Sequence, residues 1–305
     1  MLYTIENERF RAVLNDHGAE LTQLTAKADG YEIIWSGDPA YWTGHSPVLF
    51  PFVGKLKDGG FTYRGKRYEM SKHGFARGTD FAVSEQKSDA ITLAFEDWKQ
   101  YEAGYPFRYR LSASYQLTQQ GLRFTYCARN VGDEVMYCSL GAHPAINAVD
   151  AKLVFPCKET VEAERFGEDG LRKAEKEPFL CDSDVYQVQE HTFDHDAYTL
   201  KGLKSEYVDV HSAASQHVVR VTFGGAHYVG VWAKPGAPYV CIEPWLGLDD
   251  AHDHDGELTR KEGIHAVQPG EELSLALDSL ERILAEENGT EEGLHVAEAS
   301  VFKEE

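Results

Sequence analysis

The sequence is short of basic residues. It has 30 Lys and Arg against 50 Asp and Glu in 305 residues, so its formal net charge is −20. A nucleic-acid duplex or an anionic membrane surface is bound through clustered cations, which this composition does not supply. We therefore expect neither nucleic acid nor a membrane to be a partner of this chain.

Long apolar runs and paired cysteines are also missing. No stretch of about 18 apolar residues occurs, and the first ten residues lack the basic and then apolar pattern of an export signal. The cysteines are odd in number, widely spaced and without a CxxC pair: Cys127, Cys138, Cys157, Cys181 and Cys241. We interpret them as buried free thiols of a protein that lies in a reducing cytoplasm.

Helical periodicity is scarce, whereas two-residue alternation of apolar and polar residues recurs along most of the chain. Segments 107–117 and 122–128 alternate on either side of the turn at 119–121, which predicts a hairpin. Segments 61–63 and 68–70 predict a smaller one. Further short β-branched and aromatic runs, at 91–95, 218–223, 228–232 and 239–242, predict more strands. The sequence therefore predicts an all-β, antiparallel protein with few short helices.

No internal repeat and no Pro- or Ser-rich linker divides the chain, so we expect one domain over residues 1–285. Leu273, Leu275 and Leu277 predict a last strand, whereas the apolar positions at 280–284 fit either a strand or a helix. Residues 286–305 are acidic and poor in large apolar side chains. Such a segment buries too little surface to offset the entropy of ordering, so we expect a flexible tail, with a short docked helix as the alternative.

Three polar islands interrupt the strand patterns: KHGFAR at 72–77, GAHPAIN at 141–147 and CIEPW at 241–245. They contribute His73, His143 and Glu243, each beside Gly, Pro or an aromatic residue. An imidazole exchanges protons near neutral pH, and a carboxyl beside an indole is partly desolvated, which moves its pKa toward neutrality. Each residue alone could also serve structure, by capping a turn, ending a strand or pairing with a lysine.

These islands, together with FPFVGK at 50–55, resemble in order and rough spacing the motifs of the aldose 1-epimerase (galactose mutarotase-like) family, and most closely its LacX-like branch. The resemblance covers nearly all of residues 1–280. It implies a large antiparallel β sandwich, the galactose mutarotase-like supersandwich, with a sugar cleft on one face. It also implies an isomerase of carbohydrate metabolism that interconverts the α and β anomers of a free aldose.

The resemblance further implies a role for each of the three residues. Glu243 is the base that takes the O1 proton, His143 is the acid that serves the ring oxygen, and His73 orients the sugar. Ring opening and closure involve no redox step, and the sequence has neither a GxGxxG after a strand nor a P-loop. We therefore expect no cofactor and no metal, and a monosaccharide as the partner; the oligomeric state is left open.

Several further residues are candidates for binding the sugar. Lys55 stands where many relatives have an arginine, so it keeps the charge but loses the planar fork that grips two hydroxyls. The family also uses an aspartate upstream of the glutamate, for which both Asp194 and Asp196 qualify; we favour Asp196. The remaining candidates are Arg77, Asn147 and the aromatic residues Trp245, Phe75 and Phe52, the two phenylalanines being equally compatible with core packing.

The run of aspartates and histidines at 249–255 has the composition of a metal site but neither an EF-hand glycine pattern nor a helical HExxH. We expect a solvated polar loop over the mouth of the cleft.

Two other functions stay open. A protein of this fold could bind or sense a sugar without turnover, or it could act on hexose 6-phosphates. The second needs cations that converge on the phosphate, and the candidates are Lys55, Lys57, Lys72 and Arg77.

Overall fold

The computed structural model describes residues 1–283, which form strands and four single-turn 3₁₀ helices. The strands are β1 (Leu2–Glu6), β2 (Phe10–Asn15), β3 (Glu20–Ala26), β4 (Tyr31–Glu32), β5 (Val48–Leu49), β6 (Gly60–Tyr63), β7 (Lys66–Glu69), β8 (Ala82–Gln86), β9 (Ala90–Phe95), β10 (Tyr109–Leu117), β11 (Gly121–Asn130), β12 (Met136–Cys138), β13 (Leu140–Ala142), β14 (Ala145–Asn147), β15 (Lys152–Phe166), β16 (Arg172–Gln187), β17 (Tyr198–Lys201), β18 (Tyr207–His211), β19 (His217–Thr222), β20 (Tyr228–Trp232), β21 (Tyr239–Leu246), β22 (His265–Val267) and β23 (Glu272–Ile283). The 3₁₀ turns are Lys57–Gly59, Ala76–Gly78, Trp98–Tyr101 and Leu258–Arg260.

Fifteen strands form one sheet with the order β5-β13-β21-β20-β17-β15-β18-β19-β23-β11-β10-β9-β8, in which β14 also pairs with β21 and β16 with β15. Neighbouring strands rotate by roughly 20–25°, so a sheet this wide curls back on itself. The strands β1 to β4 form a second sheet, and β6-β7 and β12-β22 are separate pairs. The fold is all-β and antiparallel, as the alternation predicts, and it is the large β sandwich that the resemblance implies.

The two-residue alternation places the core as predicted. Strand β10 pairs with β11 from Tyr109 opposite Asn130 to Leu117 opposite Leu122, and every second residue of β10 is buried. The smaller predicted hairpin is formed by β6 and β7. The buried hydroxyl of Tyr115 donates to the carbonyl of Ala19 at 2.6 Å, which ties the large sheet to the N-terminal one.

The last described element is a strand. Strand β23 pairs with β11 and β19 as far as Ile283, so the apolar positions 280–283 continue a strand and the helical alternative is wrong for them. The predicted domain end at 285 and the tail at 286–305 lie outside the described residues.

The cysteine prediction is correct in part. All five are free, and Cys138 and Cys241 are buried, but Cys157 and Cys181 are exposed. The two exposed thiols lie on the long β15–β16 hairpin, where register shifts break the alternation of buried and exposed positions. Nowhere in residues 1–283 is a helix long and apolar enough to cross a membrane.

Candidate functional site

Strand β21 carries the proposed base in the middle of a fully buried segment. It pairs with β20 along one edge, where Glu243 lies opposite Gly230, and with β13 and β14 along the other. Between β13 and β14 the chain leaves the ladder at His143 and Pro144, and the carbonyl of Pro144 accepts the amide of Ile242 at 3.2 Å. This interruption places His143 next to Glu243, although the two residues are far apart in the sequence.

A glycine opposite the glutamate makes room for the wall of the site. A Cβ atom at Gly230 would lie 2.4 Å from the indole of Trp245, which is far inside contact distance. Because side chains alternate along a strand, Glu243 and Trp245 project from the same face of β21. The absence of a side chain at Gly230 therefore lets the indole lie flat against the sheet beside the carboxyl.

The three proposed catalytic residues line one cleft of about 280 Å³. Its walls combine aromatic residues with charged ones, as is usual for a small-ligand site. The lining residues are Trp42, Pro47, Lys72, His73, Arg77, His143, Phe166, Asp196, Ala197, Trp232, Glu243, Trp245 and Asp249.

Glu243 and His143 contact each other on the floor of the cleft. The Nε2 atom of His143 lies 3.2 Å from Oε2 of Glu243, and the glutamate is 2% exposed. Burial raises the pKa of the Glu243 carboxyl well above 4.5, and the charges of Asp196 and Asp249 add to the rise, while Lys72 opposes it. The carboxyl is thus shifted toward the pH range in which it can accept and return a proton.

Two indoles enclose the imidazole of His143. Its ring centroid lies 5.1 Å from that of Trp42 and 5.9 Å from that of Trp232. This desolvation lowers the pKa of His143 to about 3, because a protonated ring would lose its hydration there. The free site therefore holds a neutral imidazole against a carboxyl that favours its protonated form.

His73 is fixed by Gly54 on the other side of the cleft. The amide of Gly54 donates to Nδ1 of His73 at 3.0 Å, and the amide of His73 donates to the carbonyl of Gly54 at 2.8 Å. Burial lowers the pKa of His73 well below 6.5, so the ring is neutral. Because Nδ1 accepts a hydrogen bond, the proton of the neutral ring is on Nε2, which makes that atom a donor. The rings of His73 and His143 are 5.8 Å apart.

The cleft also contains two cations and a partly exposed carboxylate. The ammonium of Lys72 lies 3.7 Å from a carboxylate oxygen of Asp196, and the guanidinium of Arg77 donates to the carbonyl of Lys72 at 3.0 Å. Of the two candidate aspartates, Asp196 lines the cleft, whereas Asp194 pairs with His191 at 2.9 Å on the surface.

Other predicted binding residues are directed elsewhere. The ammonium of Lys55 donates to the carbonyl of Asp169 at 2.7 Å, and the side-chain amide of Asn147 donates to the carbonyls of Glu32 and Ile34. Phe75 stacks on Tyr101 with ring centroids 3.9 Å apart. Phe52 is fully buried in the core. Of the predicted sugar-binding residues, Arg77, Asp196 and Trp245 line the cleft, while Lys55, Asn147 and Phe75 are not among its lining residues.

Trp42, Trp232 and Asp249 line the cleft but were not predicted as site residues. Trp42 lies in the irregular segment between β4 and β5, and Trp232 ends β20, so neither belongs to a recognisable motif. Asp249 follows β21 and is 2% exposed. Tryptophan commonly stacks on sugars, so the five tryptophans of the sequence were the signal from which Trp42 and Trp232 could have been predicted as site residues.

The segment 249–255 is only partly the solvated loop that we expected. His252, Asp253 and Asp255 are exposed, but Asp249 and Asp250 are buried. The charge of Asp250 is neutralised by the buried Lys261, whose ammonium lies 2.7 Å from a carboxylate oxygen. The prediction is therefore wrong for the first two residues, because partners outside the run compensate their burial.

One group of side chains in the described residues could hold a metal ion. Ligand atoms of His143, Cys241 and Glu243 all lie within 4.8 Å of one another. Burial raises the pKa of the Cys241 thiol well above its usual value, so this sulfur is protonated rather than a ready thiolate ligand. The arrangement is better suited to moving protons than to binding a cation.

Three comparisons with known proteins point to one family. The family model for aldose 1-epimerase matches residues 1–264. The plasmid-encoded LacX protein of Lactococcus lactis subsp. lactis is 29% identical over 286 residues, which cover 88% of this chain and 95% of that protein. A galactose mutarotase related enzyme from Lactobacillus acidophilus is 30% identical with a TM-score of 0.87, over 92% of this chain and 97% of that one. A galactose mutarotase-like protein from Lactobacillus casei is 28% identical with a TM-score of 0.87, over 92% and 100% of the two chains.

Proposed function

The chain belongs to the aldose 1-epimerase family, and we propose that it interconverts the α and β anomers of a free aldose by general acid and base catalysis. The contact of 3.2 Å between His143 Nε2 and Glu243 Oε2 carries this proposal. Anomer exchange needs one group that protonates the ring oxygen and one that takes the proton of O1. A buried imidazole and carboxyl in one small cleft meet that need.

The size of the cleft favours a single sugar unit. Its volume of about 280 Å³ lies just below the roughly 300–1,000 Å³ that is typical of small-molecule sites. The indoles of Trp42, Trp232 and Trp245 offer apolar faces for the C–H surface of a pyranose, and Lys72, Arg77 and Asp196 offer partners for its hydroxyl groups.

His143 and Glu243 together supply and accept all the protons that the reaction moves. His143, carrying a proton on Nε2, gives it to the ring oxygen as the C1–O5 bond breaks, and Glu243 takes the proton of O1 as C1 becomes the carbonyl carbon. After rotation about C1–C2, the O5 hydroxyl attacks the other face of the aldehyde and both protons return. The product is the opposite anomer, and the pair is restored.

The resting state agrees with such a cycle. Burial lowers the pKa of His143 and raises that of Glu243, so the neutral imidazole and the protonated carboxyl are favoured in the free protein. The state that opens the ring differs by the move of one proton from Glu243 to His143, whose Oε2 and Nε2 atoms, respectively, are 3.2 Å apart. The total charge of the pair is therefore constant, which matters because a change of charge in a desolvated cleft is costly.

The test is polarimetry on freshly dissolved single anomers of galactose, glucose and xylose. We expect the approach to equilibrium to be faster than the spontaneous rate in proportion to protein concentration for at least one of them. Calorimetric binding of a sugar without any acceleration would instead support a protein that binds or senses the sugar.

The cations of the cleft favour a second candidate, a hexose-6-phosphate mutarotase. Of the four cations that could meet a phosphate, Lys72 and Arg77 line the cleft, whereas the ammonium groups of Lys55 and Lys57 bind backbone carbonyls. Because Lys72 is already close to Asp196, this arrangement leaves less positive charge for a phosphate than two free cations would. Competition by glucose 6-phosphate but not by glucose would support this candidate over the first.

A further inference from the structure

Asp249 is a buried carboxyl of the cleft that the proton transfers described above do not use. It is 2% exposed and lies just beyond the end of β21, six residues after Glu243. Its Oδ1 atom accepts the amide of Lys55 at 2.6 Å, which is a short, charge-assisted type of contact. Its placement links the strand of the proposed base to the segment that holds His73.

A single peptide unit makes that link. The Gly54–Lys55 peptide donates its N–H to Asp249 and accepts, at its C=O, the amide of His73 at 2.8 Å. The peptide is planar, so fixing its N–H also fixes the direction of its C=O. The preceding amide, that of Gly54, then donates to Nδ1 of His73 at 3.0 Å.

The close packing around Gly54 leaves no room for a side chain at that position. Gly54 has a φ of +75°, and a Cβ atom there would lie 2.0 Å from the carboxyl carbon of Asp249. His73 has a φ of +66°, a left-handed conformation that histidine adopts more often than most non-glycine residues but that is still costly unless the surroundings hold it. The two hydrogen bonds to Gly54 are the contacts that hold it.

We propose that Asp249 is a positioning residue, which acts through the Gly54–Lys55 peptide to keep the ring of His73 in the orientation and tautomer that present its Nε2–H to the sugar. The inference rests on the proposed function for its effect on rate but not for its effect on His73. Removing the acceptor frees the peptide to rotate, and Nδ1 of His73 then loses the donor that sets the tautomer.

The experiment compares Asp249→Ala, which has no acceptor, with Asp249→Asn, which keeps an oxygen for the Lys55 amide. The readouts are the ¹⁵N signals of the His73 ring, assigned with a His73→Gln variant, and kcat/KM by polarimetry. Asp253→Ala, which alters an exposed aspartate of the same segment, is the matched control.

In the wild type we expect the His73 proton on Nε2. Asp249→Ala should shift the ring signals toward a mixture of tautomers and lower kcat/KM by about 10²-fold, which is the typical effect of misplacement by an ångström. Asp249→Asn should restore the wild-type ring signals and most of the rate, and Asp253→Ala should change neither.

Three results would overturn the proposal: wild-type ring signals in Asp249→Ala, equal losses in the Ala and Asn variants, or a wild-type His73 that carries its proton on Nδ1. The last result needs no variant, so the proposal stays testable if Asp249→Ala does not fold. A wild type that fails to accelerate mutarotation would remove the proposed function while leaving the ring measurement to decide the role of Asp249.

Discussion

Replacing Glu243 by glutamine should abolish most of the catalysis without harming the fold. Glutamine has nearly the same shape, but its amide cannot take the O1 proton. A positioned acid or base contributes about 10²–10⁴ in rate, which corresponds to roughly 3–5 kcal/mol of transition-state stabilisation. Because Glu243 is 2% exposed and contacts His143 directly, no water can readily substitute for it, and we expect a loss of at least about a hundredfold.

The pH dependence of stability separates a lost base from a damaged fold. Burial raises the pKa of Glu243 well above 4.5 in the folded protein, whereas in the unfolded chain the carboxyl ionises near its usual pKa. The unfolded state therefore releases this proton first, and the wild type loses stability as the pH rises above 4.5 through the folded pKa. Glutamine removes this loss, so the variant should resist urea better than the wild type at pH 8 but not at pH 4.

The assay is polarimetry of a freshly dissolved anomer, with the spontaneous rate subtracted and urea unfolding measured at both pH values. Glu206→Gln alters an exposed glutamate and is the control that should leave rate and stability unchanged. A Glu243→Gln variant that is pure, folded and active within a few fold of the wild type would refute the role of Glu243 as the base.

Two other variants test the site and its support. His143→Gln should lower the rate by about 10²-fold or more, and an unchanged rate would contradict the assignment. Because burial lowers the pKa of His143 to about 3, the wild type loses stability as the pH falls from 6.5 toward 3, and this loss should be smaller in the variant. Lys261→Met leaves the buried Asp250 without its ion pair and should cost about 3–5 kcal/mol in urea unfolding. Lys158→Met breaks an exposed pair and should cost no more than about 1 kcal/mol; equal losses would contradict the reasoning.

The sequence predicts the sheet well because burial on one face imposes a period of two. The hairpin of β10 and β11 was readable from alternation alone. The pattern fails on the β15–β16 hairpin, where four register shifts interrupt the pairing and leave Cys157 and Cys181 exposed. A bulge changes the face of the sheet on which the following residues lie, and the composition of this hairpin does not predict where its bulges occur.

In the site, the three residues proposed as catalytic could be predicted because they belong to recognised motifs, whereas lining residues outside those motifs could not. The structure brings His143 and Glu243 together because β13, β14 and β21 are neighbours in the sheet. His73 reaches the same cleft because the adjacent Gly74 bridges to Phe50, which follows β5, the other neighbour of β13. Lys55 and Asn147 belong to the same motifs, yet their side chains bind backbone carbonyls. A motif predicts which segment lies near the cleft. The direction of a long side chain depends instead on which acceptors the folded chain places around it.

The aspartate run at 249–255 shows the same limit. Without a metal-binding motif the run was expected to be a solvated loop, but Asp250 is buried against Lys261 and Asp249 against the Lys55 amide. Both partners, Lys261 and the Lys55 amide, lie outside the run, so no pattern within the run predicts them. Burial of a charge depends on a partner that only the fold supplies.

The most direct test of the central claim is a double-mutant cycle on the pair, with polarimetric rates for the wild type, His143→Gln, Glu243→Gln and the double variant. Groups that act as a unit show strongly non-additive losses. We predict that the double variant is no slower than the slower single variant. Losses that multiply, or single variants as active as the wild type, would contradict a proton relay between the two residues.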